Sequence, residues 1–439
     1  MGDLVLDSSL SARVAVPATP REPELTMTLE QALTLEQALT LEQALRHLGA
    51  RDRPLRLIAT GGGTGGHTYP AITTIRAARE LLDGAGVGLD VLYVGSAGGL
   101  EARVAEQEAL PFQVVSTGKL RRSANPLRMI SAANLRDVGR LARGLVEGRR
   151  VVRAFRPDVV LSTGGYVAVP VGLAARAVGV PLLVHEQTTR LGLANRVLLR
   201  RATAIALSSP TSVELLPAVA RARAVVTGNP IRAELLTGDA GRGVTALGWA
   251  GWDASLPTVY VTGGAQGSVQ VNRLVEAVLE RVLRRANVVH QCGPSSLAEL
   301  LRCAERLPAS LAGRYRVIEF VGPELPDVLA LADVVVSRSG AGTLAELTAL
   351  GKPSVLIPLI PTGGNEQEHN ARHLQRAGAA HALLADRPTP QDLQQALDGL
   401  IGDPGLRAGM AAQAAQLGRP AAARDLATVL LTLAARRPG

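Results

Sequence analysis

The glycine-dense run beginning at Gly61 restricts what this chain can fold into more than any other stretch. Residues 55–60 (LRLIAT) form an apolar run of strand length, and residues 61–66 (GGGTGG) hold five glycines. Residues 71–82 then carry the apolar spacing of a helix packed on a sheet. Pro70 is expected at the first helical position, where a fixed φ and a missing N–H are tolerated. The pattern predicts strand, bare loop, helix. A loop without Cβ atoms brings main-chain N–H groups close to a ligand, and the helix N-terminus favours an anion, so a phosphate-bearing ligand is expected. Glycines that serve only a tight turn would explain one such loop. The pattern recurs, however, at residues 162–166 (STGGY) and 262–267 (TGGAQG), each after an apolar run. Three strands ending in Thr-Gly-Gly predict one shared cleft, because open parallel sheets bind ligands outside the carboxyl ends of their strands. The first loop is no dinucleotide fingerprint: it offers neither a clean G-x-G-x-x-G nor a partner acid about 20 residues on.

Apolar runs at 55–60, 91–95, 112–115, 159–162, 182–185, 204–207 and 224–227 alternate with helical patterns. A second series follows at 259–262, 288–291, 317–320, 334–337, 354–357 and 380–384. Such alternation predicts an α/β chain of right-handed βαβ units, built as two doubly wound parallel-sheet domains facing across a cleft. The expected divisions are an extension over 1–52, a first domain over 53–229, a linker over 230–257, a second domain over 258–403 and C-terminal helices over 404–439 that can pack on either domain. The extension holds three copies of TLEQAL at 28–45. A six-residue period drifts around a helix of 3.6 residues per turn, so a mobile or loosely helical segment is expected there.

Composition narrows the partners. At 47% hydrophobic residues over 439, both cores can be large, while aromatics at 2% provide no base-stacking platform. No nucleic-acid partner is expected. Cys292 and Cys303 are too few and too far apart for a metal knuckle or disulfide framework, which suits a reducing cytosol. The start lacks a signal-peptide pattern. The longest apolar span, 159–184, is broken by Gly164, Gly165, Pro170, Gly172, Gly179 and Pro181, so a soluble or peripheral protein is expected. Between Ser116 and Asp158 stand 11 basic residues against three acids, a net of +8 out of +9 for the chain. These cations (Lys119, Arg121, Arg122, Arg128, Arg136, Arg140, Arg143, Arg149, Arg150, Arg153, Arg156) alternate with apolar residues. Each basic residue near an anionic leaflet contributes roughly 1 kcal/mol, which predicts attraction to a membrane surface; the plainer reading is a solvated helix face.

His67 closes the first glycine loop, and an imidazole there is a suitable base for a hydroxyl nucleophile. Glu186, just after a strand, is the second candidate base or an orienting carboxylate. Turn and helix capping are the structural alternatives for both. In the second domain the run SRSGAGTLAE (337–346) again leaves a strand and opens a helix, so its N–H groups suit a second phosphate and Glu346 suits ribose hydroxyls. The polar cluster at 365–370 (NEQEHN) suits sugar hydroxyls, and Arg232 at the hinge suits a diphosphate. There is no Asp-x-Asp and no Cys/His metal spacing, so no metal or cofactor is expected. Helix ends and arginine would then stabilise a leaving diphosphate.

GGTGGH with a following proline, RPDVVLSTGGYVAVP, HEQ, GNPIR, TGGAQGS, VVVSRSGAGTLAE and NEQEHNA stand in this order over about residues 53–410. Together they resemble the peptidoglycan N-acetylglucosaminyltransferase family. The resemblance implies a GT-B fold and inverting transfer of N-acetylglucosamine from UDP-N-acetylglucosamine to undecaprenyl-diphosphate-linked N-acetylmuramyl-pentapeptide, at the cytoplasmic face of the cell membrane. It further implies that Thr64, Gly65 and Gly66 line the cleft and that His67 lies by the acceptor. Arg232, the third loop with Ala265 and Gln266, Ala341, Gly342, Thr343, Leu344, Ala345, Glu346 and Gln367 would hold the donor, with Val321 against uracil. Two positions depart from the family pattern: Thr188 stands where asparagine is common and Ala265 where serine is common, each putting efficiency or acceptor choice in question. The rival readings are a GT-B transferase acting on a membrane lipid such as diacylglycerol, and a non-catalytic sugar-nucleotide-binding scaffold of the division machinery.

Overall fold

The computed structural model describes residues 40–118, 132–189, 191–360, 365–385 and 387–436. Two parallel sheets organise them. The first holds β1 (Leu55–Gly61), β2 (Leu89–Gly95), β3 (Phe112–Val114), β4 (Val159–Gly164), β5 (Leu182–Glu186), β6 (Ala204–Leu207) and β7 (Ala224–Val226), in the order β3-β2-β1-β4-β5-β6-β7. The second holds β8 (Thr258–Thr262), β9 (Asn287–Gln291), β10 (Tyr315–Ile318), β11 (Val334–Ser337), β12 (Ser354–Leu356) and β13 (His381–Ala382), in the order β10-β9-β8-β11-β12-β13. Each expected apolar run holds a strand whose ends differ from expectation by at most two residues. Strands β4, β5, β6, β8, β9 and β11 are buried along their whole length, because helices cover both faces of a parallel sheet.

Strand order reverses at the same place in both domains: β1 lies between β2 and β4, and β8 between β9 and β11. At such a switch point, the loops leaving the two central strands run to opposite faces and open a crevice. The loops after β1, β4, β8 and β11 carry the three Thr-Gly-Gly segments and the SRSGAG segment, so the sequence placed its bare turns at the two crevices.

Several boundaries differ from expectation. The helix after β1 spans Gly65–Asp83, so Gly65, Gly66 and His67 form its first turn and Pro70 lies inside it. Proline there removes only the bond to the Gly66 carbonyl, which a helix near its start tolerates. Residues 1–39, with the first two TLEQAL copies, lie outside the described residues. The third copy runs on into RHLG as the helix Leu41–Gly49, capped by Thr40 in a reciprocal pair with Gln43. Joining the copy to Leu48 aligns Leu41, Ala44, Leu45 and Leu48, the stripe that the isolated repeat lacks; Ala44 and Leu48 are buried. Residues 230–257, read as linker, bury Leu235, Leu247 and Trp249 among Val328, Leu329 and Leu331 of the second domain.

The two last helices part company. Pro404–Leu417 packs on Ala341–Ala349 in the second domain, whereas Ala422–Ala435 returns to the first and packs on Gly65–Asp83 and Leu41–Gly49. Its Leu426, Leu430, Leu431 and Leu433 join the core around Leu57, Ile72 and Ile75. Lys119, Arg121, Arg122 and Arg128 of the basic segment lie outside the described residues. Arg140, Arg143, Arg149, Arg150 and Arg153 are exposed on the helix Ala132–Phe155, beside exposed Leu145 and Val146. Among the described residues no helix is long and apolar enough to cross a membrane.

Candidate active site

In the first crevice, the loops after β1 and β4 rest on each other. A Cβ at Gly165 would fall 2.4 Å from the Gly62 carbonyl oxygen, and one at Gly164 would fall 2.8 Å from His67 Cδ2. Both glycines also have positive φ, +102° at Gly164 and +83° at Gly165, so the second Thr-Gly-Gly is bare because the first lies against it. Thr163 Oγ1 donates to the His67 carbonyl at 2.7 Å. Thr64 caps the helix with extended backbone and no side-chain bond to it; its hydroxyl instead pairs with His67 Nδ1 at 2.9 Å. The N–H groups of Gly65 and Gly66 therefore stand in an uncapped first turn, the setting that suits an anion. In the tautomer whose Nδ1–H donates to the Thr64 hydroxyl, Nε2 carries the lone pair a base needs. Burial lowers the His67 pKa, and the Glu101 carboxylate opposes that shift.

Glu186 stands at the end of β5 and is buried. Thr188 donates to Oε1 from its N–H (3.2 Å) and hydroxyl (2.9 Å), while the Gly192 N–H (2.8 Å) and Asn195 Nδ2 (2.9 Å) donate to Oε2. Burial pushes its pKa up against these four donors, which favour the charged form. Four bonds occupy the oxygens, so the carboxylate shapes the 186–195 loop, and the hydroxyl kept at Thr188 is part of that device. The neighbouring His185 is wholly buried between the Gly228 carbonyl (2.9 Å) and the Gln187 amide (3.2 Å). Burial drives its pKa down to about 4, so it is neutral.

The second crevice is built alike. Thr262 Oγ1 accepts from the Gly264 N–H and from Gln291 Nε2, both at 3.0 Å, and Gln291 Oε1 accepts from the Val321 N–H at 2.9 Å. Ala265 and Gln266 lie exposed at the tip. The helix Ala341–Ala349 starts at Gly340 with no side-chain cap, which leaves the N–H groups of its first turn, Ala341, Gly342 and Thr343, for a ligand. Ala345 is half-buried, whereas Leu344 and Val321 turn their side chains into the core, and their N–H groups donate to the Gly340 carbonyl and to Gln291 Oε1. Arg232 Nη2 approaches Glu346 Oε1 at 3.6 Å. Burial raises the Glu346 pKa and Arg232 counters it. Gln367 Oε1 accepts from the Leu359 N–H at 3.0 Å, and its carbonyl accepts from Ser339 Oγ at 2.7 Å. Arg338, central in its motif, donates to Gln270, Ser268 and the carbonyls of Ile357 and Pro358, so it braces the loops.

Sequence reading missed Glu101, Tyr93 and Gln291. Tyr93 donates to the Gly61 carbonyl at 2.6 Å from within the sheet, a role no local pattern reveals. Glu101 had a signal: an acid after Gly95, Gly98 and Gly99 at the end of β2, a further bare turn beside the first. No group of three metal-binding side chains occurs among the described residues.

The halves of this site coincide with known domains. Residues 57–207 match the glycosyltransferase family 28 N-terminal domain and residues 258–426 the family 28 C-terminal domain. A UDP-N-acetylglucosamine–N-acetylmuramyl-(pentapeptide) pyrophosphoryl-undecaprenol N-acetylglucosamine transferase of Listeria monocytogenes is 36% identical over 86% of this chain and 99% of its own. Its namesake in Lachnospira eligens is 34% identical over 79% and 91%. The crystal structure of MurG from Acinetobacter baumannii superposes with a TM-score of 0.65 at 25% identity, covering 86% of this chain and 99% of that one. With two parallel sheets, a bare-loop crevice in each, and relatives matched over nearly their full length, the chain belongs to glycosyltransferase family 28, among its pyrophosphoryl-undecaprenol N-acetylglucosamine transferases.

Proposed function

We propose that the protein transfers N-acetylglucosamine from UDP-N-acetylglucosamine to undecaprenyl-diphosphate-linked N-acetylmuramyl-pentapeptide, a step of peptidoglycan synthesis. The observation that carries this is the junction of the two crevices: the Glu186 loop meets the helix Glu366–Arg376 through Thr189 and Asn370, with the capless helix starts on either side. The donor diphosphate lies at the N–H groups after β8 and β11 and near Arg232, with Glu346 toward the ribose and Gln367 toward the sugar. Nε2 of His67 takes the proton of the acceptor hydroxyl as its oxygen bonds to the anomeric carbon. The bond from that carbon to the phosphate oxygen breaks on the opposite side, which inverts the centre and leaves UDP. Helix dipoles and Arg232 meet the charge released. Glu186 positions the loop beside His67.

The exposed arginines of the helix Ala132–Phe155, with Leu145 and Val146, support peripheral binding to an anionic membrane at its cytoplasmic face. The deciding experiment supplies labelled UDP-N-acetylglucosamine with synthetic lipid-linked acceptor, and a lipid-linked disaccharide is expected. Transfer only to diacylglycerol, or donor binding without transfer to any acceptor, overturns the reading.

A further inference from the structure

Glu101 lies one strand away from β1, in the first turn of the helix Leu100–Gln107, and solvent does not reach it. Ser96 donates to its Oε1 from the hydroxyl (2.5 Å) and the N–H (3.0 Å), and the Gly63 N–H donates to Oε2 (3.1 Å). Burial works against its charge, but these donors outweigh it and hold the pKa below the ordinary carboxylate value. Three glycines enclose the carboxyl group: a Cβ at Gly62, Gly95 or Gly99 would fall 2.4, 2.6 or 2.4 Å from its atoms. A helix cap needs no such enclosure. Gly62 and Gly99 leave room for the carboxylate itself, and Gly95 for its stem and the Phe112 ring, under the loop that leads, four residues after Gly63, to His67.

We propose that Glu101 is a positioning residue for glycosyl transfer: it fixes Gly62 and Gly63 in the conformation that aims the next N–H groups and the His67 ring into the cleft, and its charge bears on that imidazole. This rests on the reading of His67 as the base. The Thr64 hydroxyl on its own turn and the bare backbone of Gly164 after β4 lie against the His67 ring, while His185 from β5, which is neutral, and Glu101 from the helix after β2 are the titratable groups that act on it electrostatically. The negative charge that acts on the ring among these is that of Glu101. The cavity beneath the loop admits a carboxamide of the same shape, but its NH2 must then face one of the N–H donors.

The test compares Glu101→Gln and Glu101→Asp with the parent enzyme in thermal unfolding, in kcat and KM for donor and acceptor, and in NMR titration of the His67 ring. For Glu101→Gln, kcat is expected to fall by about 10- to 100-fold, the scale of a small misplacement at the reacting centre. Donor KM should stay put, because the donor loops belong to the other sheet, and His67 should titrate at lower pH than in the parent. Glu101→Asp should recover part of both effects, and it carries the test if the glutamine variant does not fold. Parental kcat with a parental His67 titration overturns the proposal. So does a loss of activity that follows the unfolded fraction while His67 titrates unchanged, which marks a plain structural cap. A parent protein that transfers no sugar overturns the functional reading instead, and the NMR comparison still reports on the link between Glu101 and His67.

Discussion

Thr189 and Asn370 meet across the cleft: the threonine hydroxyl donates to Asn370 Oδ1 at 3.3 Å, and the asparagine amide donates onward to the Ser339 carbonyl at 3.2 Å. One side chain thus joins the loop that carries Glu186 to the loop that precedes the helix Ala341–Ala349. Asn370→Ala removes both bonds. A neutral hydrogen bond contributes about 0.5–1.5 kcal/mol, so the donor KM should rise by roughly 2- to 10-fold with a smaller change in kcat. Steady-state kinetics with varied UDP-N-acetylglucosamine checks this.

His67 and Glu186 should fail in different ways. His67→Ala removes a base and should lower kcat by about 100- to 10,000-fold with little change in melting temperature. Glu186→Ala strands the Thr188 and Gly192 N–H groups and the Asn195 amide, so activity and melting temperature should fall together. If both variants are folded and turn over donor at the parental rate, the mechanism is wrong.

The pH profile follows from His67. Burial holds its pKa below the ordinary value of about 6.5, and the base form is the neutral one. Activity should therefore be level around neutrality and decline only as pH falls below about 6.5, where the ring protonates. The acid limb should vanish from the residual activity of His67→Ala.

Stability has an acid-sensitive anchor at Asp158. Its buried carboxylate accepts from Arg51 (3.1 Å), Arg53 (2.7 and 2.8 Å) and the Arg56 N–H (2.8 Å), and Arg51 donates onward to the Ala434 carbonyl at 3.0 Å. Burial opposes ionisation, yet Arg53 and the other donors hold the Asp158 pKa below its ordinary value. A depressed folded-state pKa gives stability that is complete above the unfolded-state value, about 3.9, and is lost as pH falls through the folded one. Asp158→Asn should reduce unfolding free energy at pH 7 by about 1–3 kcal/mol, the lower end reflecting partial exposure of Arg53. Urea denaturation at pH 7 and pH 3 should show parent and variant converging in acid.

The sequence located the strands and the bare turns because a parallel strand covered on both faces must be apolar throughout and a loop that another backbone approaches closely must be bare. Both demands are local. It placed Pro70 at the helix start because proline usually stands there, whereas the neighbouring glycines had already begun the turn. The resemblance puts Leu344 and Val321 at the donor, and in the fold both side chains are buried in the second domain's core, a placement that depends on the helices packed around them. Glu101 and the Tyr93 hydroxyl were invisible for another reason: each acts on a loop more than 30 residues away, and no local pattern records that neighbour.

The return of Ala422–Ala435 to the first domain has a consequence during synthesis. The ribosome delivers β1 to β7 long before this helix, so the apolar face of Gly65–Asp83 must wait uncovered while the whole second half is translated. A separately expressed first half would keep that face open to aggregation, and adding the last helix as a peptide is the natural way to rescue it.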